Sequence, residues 1–195
     1  MNKASEKRLF VAVRLPPEVK RALAVRCEEL GTRWRFSKWV HQEDYHVTVQ
    51  FLGSVDQDRM GPLAGELARA AAKHQPFELA VAGIGTFGRP EQPRILWAGL
   101  TGDLGKLRAL QSTVARHLET VGFPPEQRPY RPHVTVARKC LDTPFSLNAG
   151  PSWGEEAEKR WRVDELALME TRLGERPMYR VVGRFALGTG KRLPV

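Results

Sequence analysis

His46-Val47-Thr48-Val49 and His133-Val134-Thr135-Val136 are one tetrapeptide met twice in a chain of 195 residues. Both copies sit in β-branched and apolar runs, residues 45–52 and 133–136, a composition that favours extended backbone. Successive side chains of a strand point to opposite faces. His46 and Thr48 therefore share one face and Val47 and Val49 the other, and the second copy divides in the same way. Each strand can bury its valines and present one imidazole and one hydroxyl. A single His-x-Thr is weak evidence, because both residues suit a half-solvated sheet face. Here two of only five histidines open identical tetrapeptides, a little under half the chain apart. That spacing predicts two similar halves facing each other across a shared site.

Upstream of the first copy, Leu9-Phe10-Val11-Ala12-Val13 reads as a strand, and Pro16-Pro17 starts a helix over 18–30. Its apolar residues are Val19, Ala22, Leu23, Cys27 and Leu30, and Gly31 stops it. Residues 33–39 mix Arg, Lys, Trp and Phe. They suit contacts to phosphates and bases, and equally a segment whose rings anchor it to the core. Between the copies the pattern predicts a helix over 56–73, a strand over 77–82, an irregular glycine-rich stretch over 83–88, a strand over 94–100 and a helix over 104–120. The glycines lack the Gly-Lys-Ser/Thr of a phosphate-binding loop. A proline-rich loop over 123–132 carries Arg128, Tyr130 and Arg131 into the second copy. Beyond it, 141–154 reads as a surface loop and 160–172 as one long strand. Gly174-Glu175-Arg176-Pro177 turns that strand back into 178–187. Few connections are long enough for parallel crossovers. The order predicts an α+β fold with two largely antiparallel sheets, outer helices and no linker, so that residues 1–195 form a single domain.

Hydrophobic residues make up 42% of the chain and charged residues 27%, ordinary values for a folded globular protein. The apolar runs are far shorter than the ~20 residues of a membrane helix. The polar residues 1–8 lack the apolar segment of a signal peptide. Cys27 and Cys140 are far apart and outside any C-x-x-C. These features predict a cytoplasmic protein with reduced thiols and no membrane partner. The net charge of +9 favours a polyanion such as RNA, although a basic surface also serves solubility alone.

Two imidazoles on one cleft can act as general base and general acid in the same step, since their ordinary pKa of about 6.5 leaves both protonation states accessible. In-line displacement at phosphorus suits such a pair. One group deprotonates the attacking water, the other protonates the departing oxygen, and threonine hydroxyls donate to the equatorial oxygens. Arg131 and Arg138 lie close by in sequence to offset the charge. No metal is required, and each motif offers one imidazole without a carboxylate at ordinary ligand spacing; Glu43 and Asp44 could join only by an unforeseen geometry. No G-x-S-x-G occurs. His117 and His74 are expected on or beside helices, away from this chemistry, and His41 near the cleft.

His46-Val47-Thr48-Val49-Gln50-Phe51-Leu52-Gly53 and Arg131-Pro132-His133-Val134-Thr135-Val136-Ala137-Arg138 resemble the two signature motifs of the 2H phosphoesterases. More narrowly the chain resembles the bacterial and archaeal RNA 2′,3′-cyclic phosphodiesterases, also called 2′-5′ RNA ligases. The first strand, the strand after Pro93 and the closing hairpin fit as well, so the likeness covers nearly the whole chain. It implies a bilobal fold with pseudo-two-fold symmetry about a central basic cleft. It also implies hydrolysis of a terminal RNA 2′,3′-cyclic phosphate to a 2′-phosphate without cofactor, and a secondary ATP-independent 2′-5′ ligation. By the resemblance His46 is the general acid, His133 the general base, and Thr48 and Thr135 hold the phosphate. Arg138 stands where the family has its arginine. Strict alternation puts Arg138 on the face of Val134, so a bend or bulge is needed to bring it to the cleft. Phe51, Tyr130, Trp34 and Trp39 are candidates to stack on the terminal base. The expected partner is RNA with cyclic phosphate ends, tRNA fragments among them, and the expected state a monomer. The same chemistry would serve small cyclic nucleotides or ADP-ribose cyclic phosphate, and a catalytically idle version would be an RNA-binding module.

Overall fold

The apolar run at the start of the chain becomes strand β1, Lys7–Arg14, in a computed structural model that describes residues 6–147, 153–158 and 160–195. Helix α1, Pro17–Gly31, follows, then β2, Phe36–Trp39, and β3, His46–Val55. Next come α2, Met60–Ala72, the hairpin of β4, Phe77–Arg89, and β5, Gln92–Gly102, and then α3, Leu104–Glu119. The second half ends with β6, Val134–Cys140, a single helical turn α4, Glu155–Glu158, and β7, Trp161–Val163. Strands β8, Glu165–Thr171, β9, Tyr179–Ala186, and β10, Arg192–Leu193, close the chain.

Every strand pair among the described residues is antiparallel, in the order β10-β9-β8-β1-β3-β6-β5-β4-β7, with β2 also paired to β6. The expected α+β, bilobal architecture is present, but in place of two sheets the strands form one continuous ten-stranded sheet, whose halves join at β3 and β6 through one pair, Val47 with Val134. The helices are exchanged between the halves. Although α1 follows a strand of the first half, it contacts β2 and α4 of the second, while α2 contacts β8 and β9 and α3 contacts β3. Leu107, Leu110, Val114 and Leu118 give α3 an apolar stripe at intervals of three and four, and Leu63, Leu67, Ala70 and Ala71 do so for α2. Each of these leucines is fully buried, worth about 1.5–3 kcal/mol relative to exposure. The main core lies between the helices and one face of the sheet. The opposite, concave face is left for the site. There Phe10, Ala12, Ala167 and Met169 form only a small apolar floor. Among the described residues no helix is long and apolar enough to cross a membrane.

Three further expectations change. The long strand over 160–172 breaks at Asp164: β7 pairs with β4 in one lobe and β8 with β1 in the other. Alternation shows that a segment is extended but not which neighbour it takes. The glycine stretch over 83–88 keeps its expected irregularity, with register shifts between Val81 and Ile84 and between Phe87 and Gly88, but it continues β4 to Arg89. Gly85 has no Cβ because the Trp97 indole lies across it, and a Cβ there would come within 2.1 Å of the ring. The expected surface loop is partly core, since Phe145 and Trp153 are buried; residues 148–152 of that loop and 1–5 of the polar N-terminus lie outside the described residues.

Candidate active site

Because β3 and β6 run antiparallel with Val47 opposite Val134, one step either way puts His46 across from Thr135 and Thr48 across from His133. The valines are fully buried, and the four polar side chains share the concave face, half-buried. Nδ1 of His46 donates to the Asp44 carbonyl at 2.7 Å, and Nδ1 of His133 donates to the Arg131 carbonyl at 2.7 Å. A carbonyl can only accept, so both neutral rings carry their proton on Nδ1 and keep the lone pair on Nε2. Nε2 of His46 is 3.1 Å from Thr48 Oγ1. Aromatic rings fix both imidazoles. Phe10 and Tyr179 lie 4.8 and 5.0 Å from His46, and Phe87 and Trp97 lie 4.9 and 6.2 Å from His133.

A bulge interrupts each motif strand at the same place. On β3, Thr48 pairs with Ala12 and Gln50 with Val11, so Val49 is the extra residue. On β6, Thr135 pairs with Trp97 and Ala137 with Leu96, so Val136 is the extra one. Two consecutive residues are buried at each bulge, Val49 with Gln50 and Val136 with Ala137. Alternation is thereby reset, which brings the residue five beyond each histidine back to the cleft side. These two residues are Phe51 and Arg138. The bend needed for Arg138 is this bulge, and its positive charge reaches both imidazoles. Equivalent positions of a pseudo-symmetric site thus hold an exposed ring at one end and a cation at the other.

The ends differ accordingly. At the aromatic end a cavity of about 440 Å³ is bordered by Thr48, Phe51, Phe87, Tyr130, Arg131 and His133. The Tyr130 hydroxyl donates to the Thr48 carbonyl at 3.0 Å, tying the loop before the second motif to the first motif strand. The Arg131 side chain is exposed at the rim. At the cationic end His46, Thr135, Arg138, Lys38, Asp44 and Tyr179 meet around a small pocket. Trp34 and Trp39 are not at either end; they pack against Phe145 and Phe36, with ring centres 5.1 and 5.5 Å apart. His117 bonds Glu66 at 2.7 Å, away from the cleft, and His41 accepts the Glu43 N–H. Among the described residues no group of three or more His, Cys, Asp or Glu could hold a metal ion.

Burial pushes the His46 imidazole down to about 4, and the Arg138 and His133 charges add to this against the opposing pull of the Asp44 carbonyl. Burial also lowers His133, helped by Arg138 and opposed by the Arg131 carbonyl. Without substrate both rings are therefore neutral near pH 7. An anion between them offsets Arg138 and favours their protonation.

Sequence reasoning missed Asp44 and Tyr179. Asp44 is 5% exposed, and its carboxylate accepts from the backbone N–H of Met178 at 2.8 Å and of Tyr179 at 3.0 Å. One residue thus holds the closing hairpin with its side chain and His46 with its carbonyl. No local pattern marks Tyr179, which reaches His46 only through β9 pairing with β8 and β8 with β1. Trp97 carries a signal, an aromatic residue facing a glycine, Gly85, across a hairpin, whereas Phe87 faces Ile95 and carries none.

The model of the 2′-5′ RNA ligase superfamily matches residues 15–175 of this chain. The RNA 2′,3′-cyclic phosphodiesterase of Geobacillus stearothermophilus is 38% identical over 179 residues, covering 91% of this chain and 56% of that protein. The chain thus spans little more than half the length of that relative. The Bacillus subtilis protein of the same name is 31% identical over 180 residues, 91% of this chain and 95% of its own. In fold the chain is similar to E. coli LigT, solved with 3′-AMP, at a TM-score of 0.79 and 22% identity, covering 94% of this chain and 99% of that one.

Proposed function

The chain belongs to the 2′-5′ RNA ligase superfamily, and from that footing we propose that it hydrolyses RNA 2′,3′-cyclic phosphate ends to 2′-phosphates by paired histidine catalysis. The observation that carries this reading is the facing pair of His-x-Thr strands, with both imidazoles held by the same Nδ1-to-carbonyl bond. Nε2 of His133 takes a proton from water as its oxygen attacks phosphorus. The P–O3′ bond breaks, and His46, protonated in the substrate complex, delivers its proton to O3′, leaving the phosphate on O2′. Thr48 and Thr135 donate to the equatorial oxygens and Arg138 offsets their growing charge. Phe51 and Tyr130, with Arg131 at the rim, receive the terminal nucleoside.

No step in this scheme calls on a metal or cofactor. By microscopic reversibility a 5′-hydroxyl in place of water gives a 2′-5′ bond without ATP, as a secondary activity. The names of the relatives and the basic charge of this chain support RNA as substrate. We place the protein in the cytoplasm as a monomeric single domain.

The test is an oligoribonucleotide ending in a 2′,3′-cyclic phosphate, incubated with the protein and EDTA and followed by ³¹P NMR. Conversion to the 2′-monoester is expected. A 3′-monoester contradicts the assigned direction. No turnover of RNA but turnover of small cyclic nucleotides or ADP-ribose cyclic phosphate moves the substrate, and RNA binding without any turnover makes this a binding module.

A further inference from the structure

The aromatic cavity has a side that the reaction at phosphorus leaves unused, where Gln111 of α3 and Glu126 and Arg128 of the 123–132 loop border it. Leu107, Val114 and Ala115, the neighbours of Gln111 one turn away along the helix, are all buried. Gln111 therefore leaves α3 close to its core-facing side, and it is half-buried at the edge of the cavity. Burial pushes the Tyr130 hydroxyl up, and the charge of Arg108 opposes this. Arg108 lies one turn before Gln111, so this part of the helix stands beside Tyr130.

Glu126 belongs to a loop fixed to β3 at both ends. The amide of Gln50, itself 1% exposed, donates to the carbonyls of Phe123 at 3.3 Å and Pro124 at 3.2 Å. The Tyr130 hydroxyl holds the other end through the Thr48 carbonyl. Pro124, Pro125 and Pro129 restrict the backbone between these anchors. Neither Gln111 nor Glu126 makes a hydrogen bond or ion pair among the described residues, and Arg128, two residues on, does not pair with Glu126. Glu126 is the only carboxylate among the described residues bordering the cavity.

A carboxylate beside a cleft for a polyanion is unfavourable unless the ligand brings donors to it. In a 2′,3′-cyclic end both ribose hydroxyls are esterified, so the donors of the terminal nucleoside are all on its base. Uracil offers one N–H, and adenine and cytosine one amino group. Guanine alone sets two donor groups side by side, N1–H and the N2 amino group, matching the two oxygens of a carboxylate. Its O6, next along the same edge, accepts from an amide.

We propose that Glu126 and Gln111 read the edge of the terminal base and make this a guanine-preferring site. The Glu126 carboxylate accepts from N1–H and the N2 amino group, the Gln111 amide donates to O6, and the base stacks on the exposed Phe51 ring. The inference rests on the function proposed above and deepens it by naming the terminal base.

Five dinucleotides with a 2′,3′-cyclic phosphate test this, each with a 5′ uridine and ending in guanosine, inosine, adenosine, cytidine or uridine. Inosine keeps N1–H and O6 and lacks the N2 amino group. The wild type should favour the guanosine end over the uridine end about tenfold in kcat/KM, with inosine between them. Glu126→Gln should shrink that preference about fivefold and narrow the gap between guanosine and inosine. Glu126 is exposed, so this substitution does not touch the core. Gln111→Leu should lower the guanosine-to-uridine ratio but not the guanosine-to-inosine ratio, because both purines keep O6. Both losses should lie in KM more than in kcat, a split that a merely structural role would not give. Equal kcat/KM on all five ends, a first preference for another base, or a guanosine preference surviving both substitutions would overturn the base reading and leave the cyclic phosphodiesterase reading in place. Hydrolysis of none of the five by the wild type would overturn that reading and the base reading with it.

Discussion

Alanine at either His46 or His133 is expected to lower kcat for cyclic phosphate hydrolysis by about 10²–10⁴-fold, the usual contribution of a positioned acid or base. Substrate binding should change far less, because Thr48, Thr135, Arg138 and the aromatic cavity remain. The two losses should not multiply. Each histidine acts on the same displacement, so once one proton transfer is missing the other has little left to assist. Single-turnover rates of both single variants and the double variant measure this. Asparagine variants control for packing, since His46 sits between Phe10 and Tyr179 and alanine leaves a gap there. A variant retaining more than about a tenth of the wild-type rate would remove that histidine from the chemistry.

Asp44→Ala should give the second large effect, on stability. The substitution leaves the N–H groups of Met178 and Tyr179 without their acceptor in a part-buried setting. Each orphaned group costs about 1–3 kcal/mol, so a loss of about 2–6 kcal/mol in a denaturant titration is expected. For a chain of this size that corresponds to a thermal midpoint lower by several degrees, about 2–4 °C per kcal/mol. Asp44→Asn keeps an acceptor oxygen and should recover much of the loss. Turnover should fall in Asp44→Ala as well, because the released hairpin carries the Tyr179 ring away from His46. A midpoint equal to wild type would mean that the hairpin is held by its strand pairing alone.

The motif strands were legible because the apolar-polar alternation of His-Val-Thr-Val can be satisfied in only one way on a half-buried sheet. Their repetition then made a facing pair the economical reading. Even the bulge before Arg138 could be anticipated, since the family resemblance puts that arginine in the cleft while strict alternation puts it on the face of Val134. Its counterpart before Phe51 was not, because a phenylalanine is acceptable on either face and gives no sign of conflict. What stayed hidden depends on partners distant in sequence. Asp164 divides an apparently continuous strand between two lobes, and Asp44 meets Met178 and Tyr179 from across the chain. The glycines over 83–88 are irregular as expected, but their place in a paired strand was hidden for the opposite reason. Glycine weakens a strand by local propensity, and only the Trp97 indole lying over Gly85 explains why that strand needs it.

The central claim, that two histidines work on one phosphate in opposite protonation states, is tested most directly by the pH dependence of kcat/KM for wild type and both alanine variants. That parameter reports the free protein. With His46 pushed down to about 4 and His133 also lowered, the wild-type profile should be a bell with both limbs below the ordinary histidine value and its maximum on the acid side of neutrality. The alkaline limb of kcat should lie higher, because bound phosphate favours the protonated imidazole. His133→Ala lacks the base, so its residual activity should only fall as pH rises. His46→Ala lacks the acid, so its activity should only rise to a plateau. Those two one-sided profiles are the predicted result. Interchanged profiles would reverse the two roles, and a bell surviving in both variants would contradict paired histidine catalysis altogether.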